Sequence, residues 1–195
     1  MLINSVDWRS IDIPENPVVI IGSGAAGIAL ALKLEKLKIP CLVLEAGGED
    51  YSEESQACYS GTMLGGYELP NGLTGLRQRF FGGSTNCWAG GCAEFNSEDF
   101  LTRDWIPLSG WPYGKSTLNN YYEEAAELLG VNINFIRDPE HLRKLPKLNG
   151  FETNSLEFCS NIQFSYHFGE QLHNSKLIKV FLDATLVDIN CSEKR

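Results

Sequence analysis

Histidine is scarce in this chain, with three residues, His141, His167 and His173, among 195. None sits where a general base is signalled, so each reads as a surface or structural residue. Basic charge is also short: 16 Lys and Arg stand against 25 Asp and Glu, a net charge of −9. That balance excludes broad attraction to nucleic acid or anionic lipid and leaves room only for a local basic site. No Cys-x-x-Cys pair occurs among Cys41, Cys58, Cys87, Cys92, Cys159 and Cys191. The scatter excludes a disulfide framework and a zinc site, and reads as reduced thiols in a cytoplasmic protein. Cys87 and Cys92 are separated by four residues, but no further Cys or His stands at ligand spacing, so no metal is expected. Nor is there an unbroken apolar run. Residues 17–34 are interrupted by three glycines, closed by Lys33 and Glu35, and preceded by Asp12 and Glu15 where a signal peptide carries basic residues. That pattern excludes a targeting segment and a membrane span there.

What is present is the composition of a globular domain: 43% hydrophobic, 11% aromatic and 21% charged. The length suffices for one domain or a little more. The 19 glycines fall in clusters rather than repeats, and the clusters mark where the backbone does something unusual.

Residues 1–16 read as an irregular lead-in closed by Pro14 and Pro17. The β-branched run 18–21 reads as a buried strand. Residues 26–38 carry Ile28, Leu30, Leu32, Leu34 and Leu37 among strong helix formers, which predicts a helix ending before Pro40. Residues 41–45 read as the next buried strand. The three make one βαβ unit, hence an α/β fold with a parallel sheet. Residues 46–114 are rich in Gly and aromatics without long periodic segments, and belong over a ligand or in a second layer. A helix is expected over 115–131, with Ser116 as N-cap and Gly130 as stop. Its apolar side carries Leu118, Tyr121, Tyr122, Ala125, Leu128 and Leu129. Residues 132–160 are polar, punctuated by Pro, and ambiguous. A short helix is expected over 168–174, then a strand, a turn and a second strand within 177–193, ending where a β-meander would continue.

Gly22, Gly24 and Gly27 form Gly-x-Gly-x-x-Gly between the first strand and the helix. The first glycine permits the tight turn, the second lets a pyrophosphate approach the backbone, and the third allows close helix–strand packing. Free N–H groups and the positive end of the helix then face the phosphates. Glu45 follows the second strand, where an acid can accept hydrogen bonds from ribose hydroxyls. The combination reads as a dinucleotide site. Ala46 and Gly47 leave room for the adenosine beside Glu45. A second run, residues 79–91, offers Gly82 and Gly83 for close backbone approach, small polar groups on Ser84, Thr85 and Asn86, and a large apolar face on Trp88. A place for the far end of a longer cofactor favours FAD over NAD.

The motifs GSGAAG, EAGG and GGSTNCWAGG, with the segments at 104–130 and 167–189, resemble the N-terminal half of the glucose-methanol-choline (GMC) oxidoreductases, and within them a bacterial branch related to pyranose oxidase. These are flavoenzymes that oxidise alcohols and sugars. The resemblance implies a Rossmann-like FAD-binding sheet whose core spans 17–48, with an inserted cofactor-covering and substrate-side region at 49–160 and a return to the FAD domain at 161–195. Gly22, Gly24 and Gly27, with Ser23, Ala25 and Ala26 between them, would hold the pyrophosphate. Glu45, Ala46 and Gly47 would lie at the ribose, Gly82, Gly83, Ser84 and Asn86 along the pyrophosphate and flavin, and Leu186 at the adenine edge. Arg79 and Cys87 join this cofactor-binding set. Where the branch has His before Trp, this chain has Cys87, so a histidyl flavin link is excluded there and noncovalent FAD is expected, with a cysteinyl link as the alternative.

In the family the catalytic base lies in a C-terminal half with no counterpart here, so no catalytic residue is assigned and the chain reads as a C-terminally truncated fragment, inactive alone. The expected partners are a small alcohol or sugar and an electron acceptor that the residues leave open. Two other classes stay open: a noncatalytic nucleotide-binding or interaction module, and an NAD-dependent reductase. Glu53, Glu54, Glu123 and Glu124 read as solvated charge, and nothing places Asp99 and Asp104 in a pocket. Trp105, Trp111 and Tyr113 read as loop-pinning residues, with a sugar site as the alternative.

Overall fold

The computed structural model describes residues 1–65, 72–138, 140, 149 and 155–191. The chain divides into two compact units, Met1–Trp88 with Gln163–Arg195, and Ala89–Ile162.

The first unit is a four-stranded parallel sheet with helices, a Rossmann-like α/β arrangement. Strands β1 (Leu2–Ile3), β2 (Val18–Ile21), β3 (Cys41–Leu44) and β6 (Ile178–Phe181) lie in the order β1-β6-β3-β2. Val18 pairs with Cys41 and Ile21 with Leu44, while Cys41 pairs in turn with Ile178. The connection from β2 to β3 runs through α1 (Ala25–Lys36), as the local sequence pattern requires of adjacent parallel strands. Side chains alternate across the sheet, so Ile20, Val43, Ile178 and Val180 face one way and are buried. On this face α1 contributes Ile28, Ala31, Leu32 and Leu34. Beside it α5 (Phe164–Asn174) packs against α1 and β6, burying Phe164, Phe168 and Leu172 one turn apart. On the opposite face Ile3, Leu42, Phe181 and Ala184 form a separate cluster with Ile11 and Leu44, and Trp8 meets Phe181 edge to face.

Several expectations need correction. Residues 1–16 are not wholly irregular: β1 joins the sheet beside β6, and a 3-10 helix follows at Ser5–Ser10. A two-residue strand has no periodicity to read; it exists because Val180 N–H donates to Met1 O and Leu182 N–H to Ile3 O. The strand at 18–21 forms as expected but is buried only at Ile20, since β2 ends the strand order and Val18, Val19 and Ile21 are exposed. The expected second strand around Leu186 is absent among the described residues, where 184–191 hold no regular structure. The helix expected at 168–174 begins earlier, at Phe164. His141 lies outside the described residues.

In the second unit, α3 (Asn119–Leu129) grows directly out of a 3-10 turn at Lys115–Leu118, so Ser116 is inside that turn and not a helix N-cap. Gly130 ends α3 at φ +68, as expected of a left-handed stop. Ala126 is its buried residue, whereas Tyr121 and Ala125 are exposed. A short helix, α4 (Ile133–Arg137), follows. Strands β4 (Gly91–Cys92) and β5 (Glu157–Phe158) form an antiparallel ribbon. Trp111 and Tyr113 stack in a cluster with Phe95 and Phe100, while Trp105 is 79% exposed.

Glu94 ties this unit together, accepting from Lys115 Nζ at 3.0 Å and Arg137 Nε at 2.6 Å, while Arg137 also reaches Glu123. Burial pushes the Glu94 carboxyl up, but the hydrogen bonds from Lys115 and Arg137 outweigh it and hold the group below the usual carboxylate range. A folded-state pKa below the unfolded one stabilises at pH above the unfolded value, and that contribution disappears as pH falls through the folded value. Glu94→Gln is therefore expected to cost about 1 kcal/mol at pH 7. Melting curves against pH check this, with the gap from the parent closing below about pH 4.

Candidate functional site

The site begins at the end of β2. Gly22 takes φ +92, a conformation side-chain-bearing residues rarely adopt, and its N–H donates to Leu44 O at 2.8 Å, clamping the turn to β3. Gly24 is the N-cap of α1 and supplies no side-chain cap, so the first-turn N–H groups are left to an external acceptor. A Cβ on Gly24 would meet nothing within 4 Å, whereas a Cβ on Gly27 would stand 2.0 Å from Gly22 O. The three glycines thus divide the work: Gly22 turns the chain, Gly27 lets the helix close onto the turn, and Gly24 keeps its mouth open. Ala25 and Ala26 continue the lining with methyl groups.

The second glycine run comes to the first. Gly82 (φ +92) and Gly83 (φ +56) open a 3-10 turn, Gly83–Asn86, and a Cβ on Gly83 would lie 3.0 Å from Gly24 Cα. Between the two runs lies a cleft of about 410 Å³, lined by Gly22 and Gly24–Gly27 on one side and by Ser84, Thr85 and Trp88 on the other. Trp88 is set edge to face against Phe164. A buried chain of hydrogen bonds joins the runs behind the cleft. Glu45 Oε2 accepts from Ser23 N–H at 2.9 Å and Ser23 Oγ at 2.5 Å, Glu45 Oε1 accepts from Gly47 N–H at 3.0 Å, and Gly82 N–H donates to Ser23 Oγ at 3.2 Å.

The remaining residues brace this core. Glu45 is 6% exposed, and in the structure its carboxylate pins the glycine turn from within. The space over Gly47 is filled by the chain itself, since a Cβ there would meet Arg79 O at 1.9 Å. Ala46 O accepts from Thr185 Oγ1. Arg79 spans the same region, with Nη1 on Ser55 Oγ and Nη2 on Thr185 Oγ1. Asn86 donates to Phe81 O and Gly83 O and accepts from Ser165 Oγ, so it shapes the second run rather than facing the cleft. Ser84 Oγ accepts from Gln78 N–H, and the exposed Cys87 thiol donates to Ser84 O. Leu186 stands apart, on a second, apolar cleft with Trp8, Leu42 and Phe181 on the sheet face opposite α1.

Sequence reasoning missed Gln56 and Ser165. Gln56 is buried in α2 (Glu53–Ala57) and holds the approach to the second run, donating to Thr74 O and Arg77 O and accepting from Arg79 N–H. Ser165 packs its Cβ where one on Gly82 would come within 2.8 Å. Neither carries a local signal, because each acts only through chain distant in sequence. Among the described residues, no group of three His, Cys, Asp or Glu is placed to hold a metal, and no helix is long and apolar enough to cross a membrane.

The residues present fit a pyrophosphate: an uncapped helix start, an open glycine at its mouth, and a second glycine backbone facing it. Sheet and turn define a Rossmann-like α/β chain. No protein-family model matches it, and no curated protein does. Among solved structures it is similar to pyridoxine 4-oxidase from Mesorbium loti, at 28% identity over 43% of this chain and a TM-score of 0.29. The match spans 19% of that oxidase's chain.

Proposed function

We propose that this chain forms the FAD-binding part of an oxidoreductase of the GMC type, acting on the CH–OH group of an alcohol or sugar. The observation that carries the reading is the meeting of two glycine runs, Gly24 against Gly83, across one cleft with Trp88 as a wall. A single glycine turn would serve any dinucleotide; a second backbone facing it suits a long, tightly held one. Bound FAD would supply the acceptor for the substrate's hydride. The residues of this chain bind and orient: α1's first turn and Gly22 receive the pyrophosphate, Gly82 and Gly83 bring backbone to its other side, and Trp88 excludes water. Ser23 and Glu45 hold the two runs in register. The reading assigns no residue of this chain as the base for the substrate's proton. We place the protein in the reducing cytoplasm, a reading supported by its six free cysteines.

Thermal melting with added cofactor tests the binding. FAD at a hundredfold excess over its Kd is expected to add about 2.7 kcal/mol of stability and to leave flavin absorbance on the desalted protein, while NAD leaves melting unchanged. Gly24→Val separates fold from site. Gly24 has an ordinary φ of −72 and open space at its Cβ, so the variant is expected to melt within about 1 kcal/mol of the parent without FAD, the cost of a β-branched N-cap, and to lose the FAD response. Protection by NAD and not by FAD would sink the proposal in favour of a nicotinamide enzyme. No response to either would leave a noncatalytic module.

A further inference from the structure

Within the second unit, two thiols are brought together by strand register. Gly91 lies opposite Phe158 and Cys92 opposite Glu157, and Cys159 N–H donates to Gly90 O at 2.8 Å, which sets Gly90 opposite Cys159. Alternate residues of a strand share a face, so Cys92 and Cys159 are diagonal neighbours on one face of the ribbon. Diagonal side chains usually stand too far apart to react. Here the intervening position is a glycine, and both sulfurs lean over it. Cys92 Sγ donates to Gly90 O at 3.4 Å, and a Cβ on Gly90 would fall 2.8 Å from Cys159 Sγ. Gly90, at φ +76, thus leaves the space into which the two thiols converge.

We propose that Cys92 and Cys159 form a reversible intramolecular disulfide when the protein meets hydrogen peroxide. The half-buried Cys92 is the thiol peroxide can reach, while Cys159 is 7% exposed and acts second. Cys92, as thiolate, attacks one peroxide oxygen; the O–O bond breaks, giving a sulfenic acid and one water. Cys159 sulfur then attacks the Cys92 sulfur, the S–O bond breaks, and the hydroxyl leaves as a second water. Two S–H bonds are lost, one S–S bond forms, and one peroxide is reduced to two waters. The Cys92 thiol is pushed up to about 11 by burial, then by the neighbouring Cys159 and by Glu157, which makes the first step slow at neutral pH. The result is a staple that closes under sustained oxidant, tying β4 to β5 across the whole second unit.

Peptide mapping of the full chain tests this without any substitution. Protein held in hydrogen peroxide is denatured, its free thiols are alkylated with N-ethylmaleimide, and it is digested without reduction. Alkylation of Cys92 and Cys159 is expected to fall together by roughly tenfold, with a Cys92–Cys159 linked peptide that dithiothreitol removes. Cys159→Ser is expected to leave Cys92 as oxygen adducts with no linked peptide. The proposal is overturned if Cys92 and Cys159 remain alkylated while Cys58, Cys87 or Cys191 is oxidised, or if Cys92 is found linked to Cys87 or to a second chain. Should the variant fail to fold, the map of the unsubstituted chain still decides.

Discussion

Gly47→Ala is expected to destabilise the first unit by about 3 kcal/mol, which for a chain of this length lowers the melting temperature by roughly 6–12 °C. The new Cβ would stand 1.9 Å from Arg79 O, 2.6 Å from Arg79 C and 2.9 Å from Phe80 Cα. All three are backbone atoms, so no side-chain rotation relieves the clash and one chain segment must move. Both candidates for movement are tied down: Gly47 O accepts from Asp183 N–H, Gly48 O accepts from Phe81 N–H, and Arg79 N–H is held by Gln56. Any shift carries the second glycine run away from the first, so FAD binding is expected to fall with stability. Thermal melting of the cofactor-free protein is the direct check. A variant melting with the parent would show that Arg79 and Phe80 do not press on Gly47 as described. Set beside Gly24→Val, which is expected to spare the fold and remove binding, the pair distinguishes a glycine required by the chain from one required by the ligand.

The second large effect is expected from Glu45→Gln. The carboxylate accepts from two backbone N–H groups and one hydroxyl. Glutamine has one oxygen to offer, and its amide group would point donor against donor at either Ser23 N–H or Gly47 N–H. Leaving a buried N–H without an acceptor, and weakening a charge-assisted bond, is expected to cost about 3 kcal/mol together. Loss of the carboxylate also frees the Ser23 hydroxyl that receives Gly82 N–H, so the damage reaches the second run. Melting temperature and FAD titration of the variant check this. Unchanged stability with weakened FAD binding would mean that the carboxylate serves the ribose rather than the turn.

Much of the βαβ unit was legible because its signals are local. The spacing of Gly22, Gly24 and Gly27, the β-branched run before them and the helix formers after them each constrain only a few neighbouring dihedrals, and β2, α1 and β3 appear where those constraints put them. The burial of β2 was not legible. A continuous apolar run says that a strand is apolar on both faces, while exposure depends on whether other chain lies beside it. Ser116 shows the same limit at smaller scale. Its residue type suits an N-cap, but the 3-10 turn that begins after Gly114 carries the chain into α3 without a break. From sequence Glu45 is expected at a ribose, whereas in the fold its oxygens are taken by Ser23 and Gly47, whose N–H groups converge on it only once the turn and the second strand are packed. The pairing of Cys92 with Cys159 had no sequence signal at all, since it arises from the register of two strands far apart in the chain.

By itself the sequence determined where the backbone must turn tightly, which segment becomes the helix behind that turn, and that the chain is of the α/β class. Those outcomes follow from sterics and hydrogen bonding within a few residues. Only the tertiary structure decided that the second glycine run lies against the first, that Gly47 makes way for Arg79 and Phe80 rather than for open space, and that Glu45 braces the turn from inside. Each of these depends on where distant segments come to rest. That position is fixed by the sum of many burial and packing terms over the whole sheet and its helices, and no single stretch of residues carries that sum.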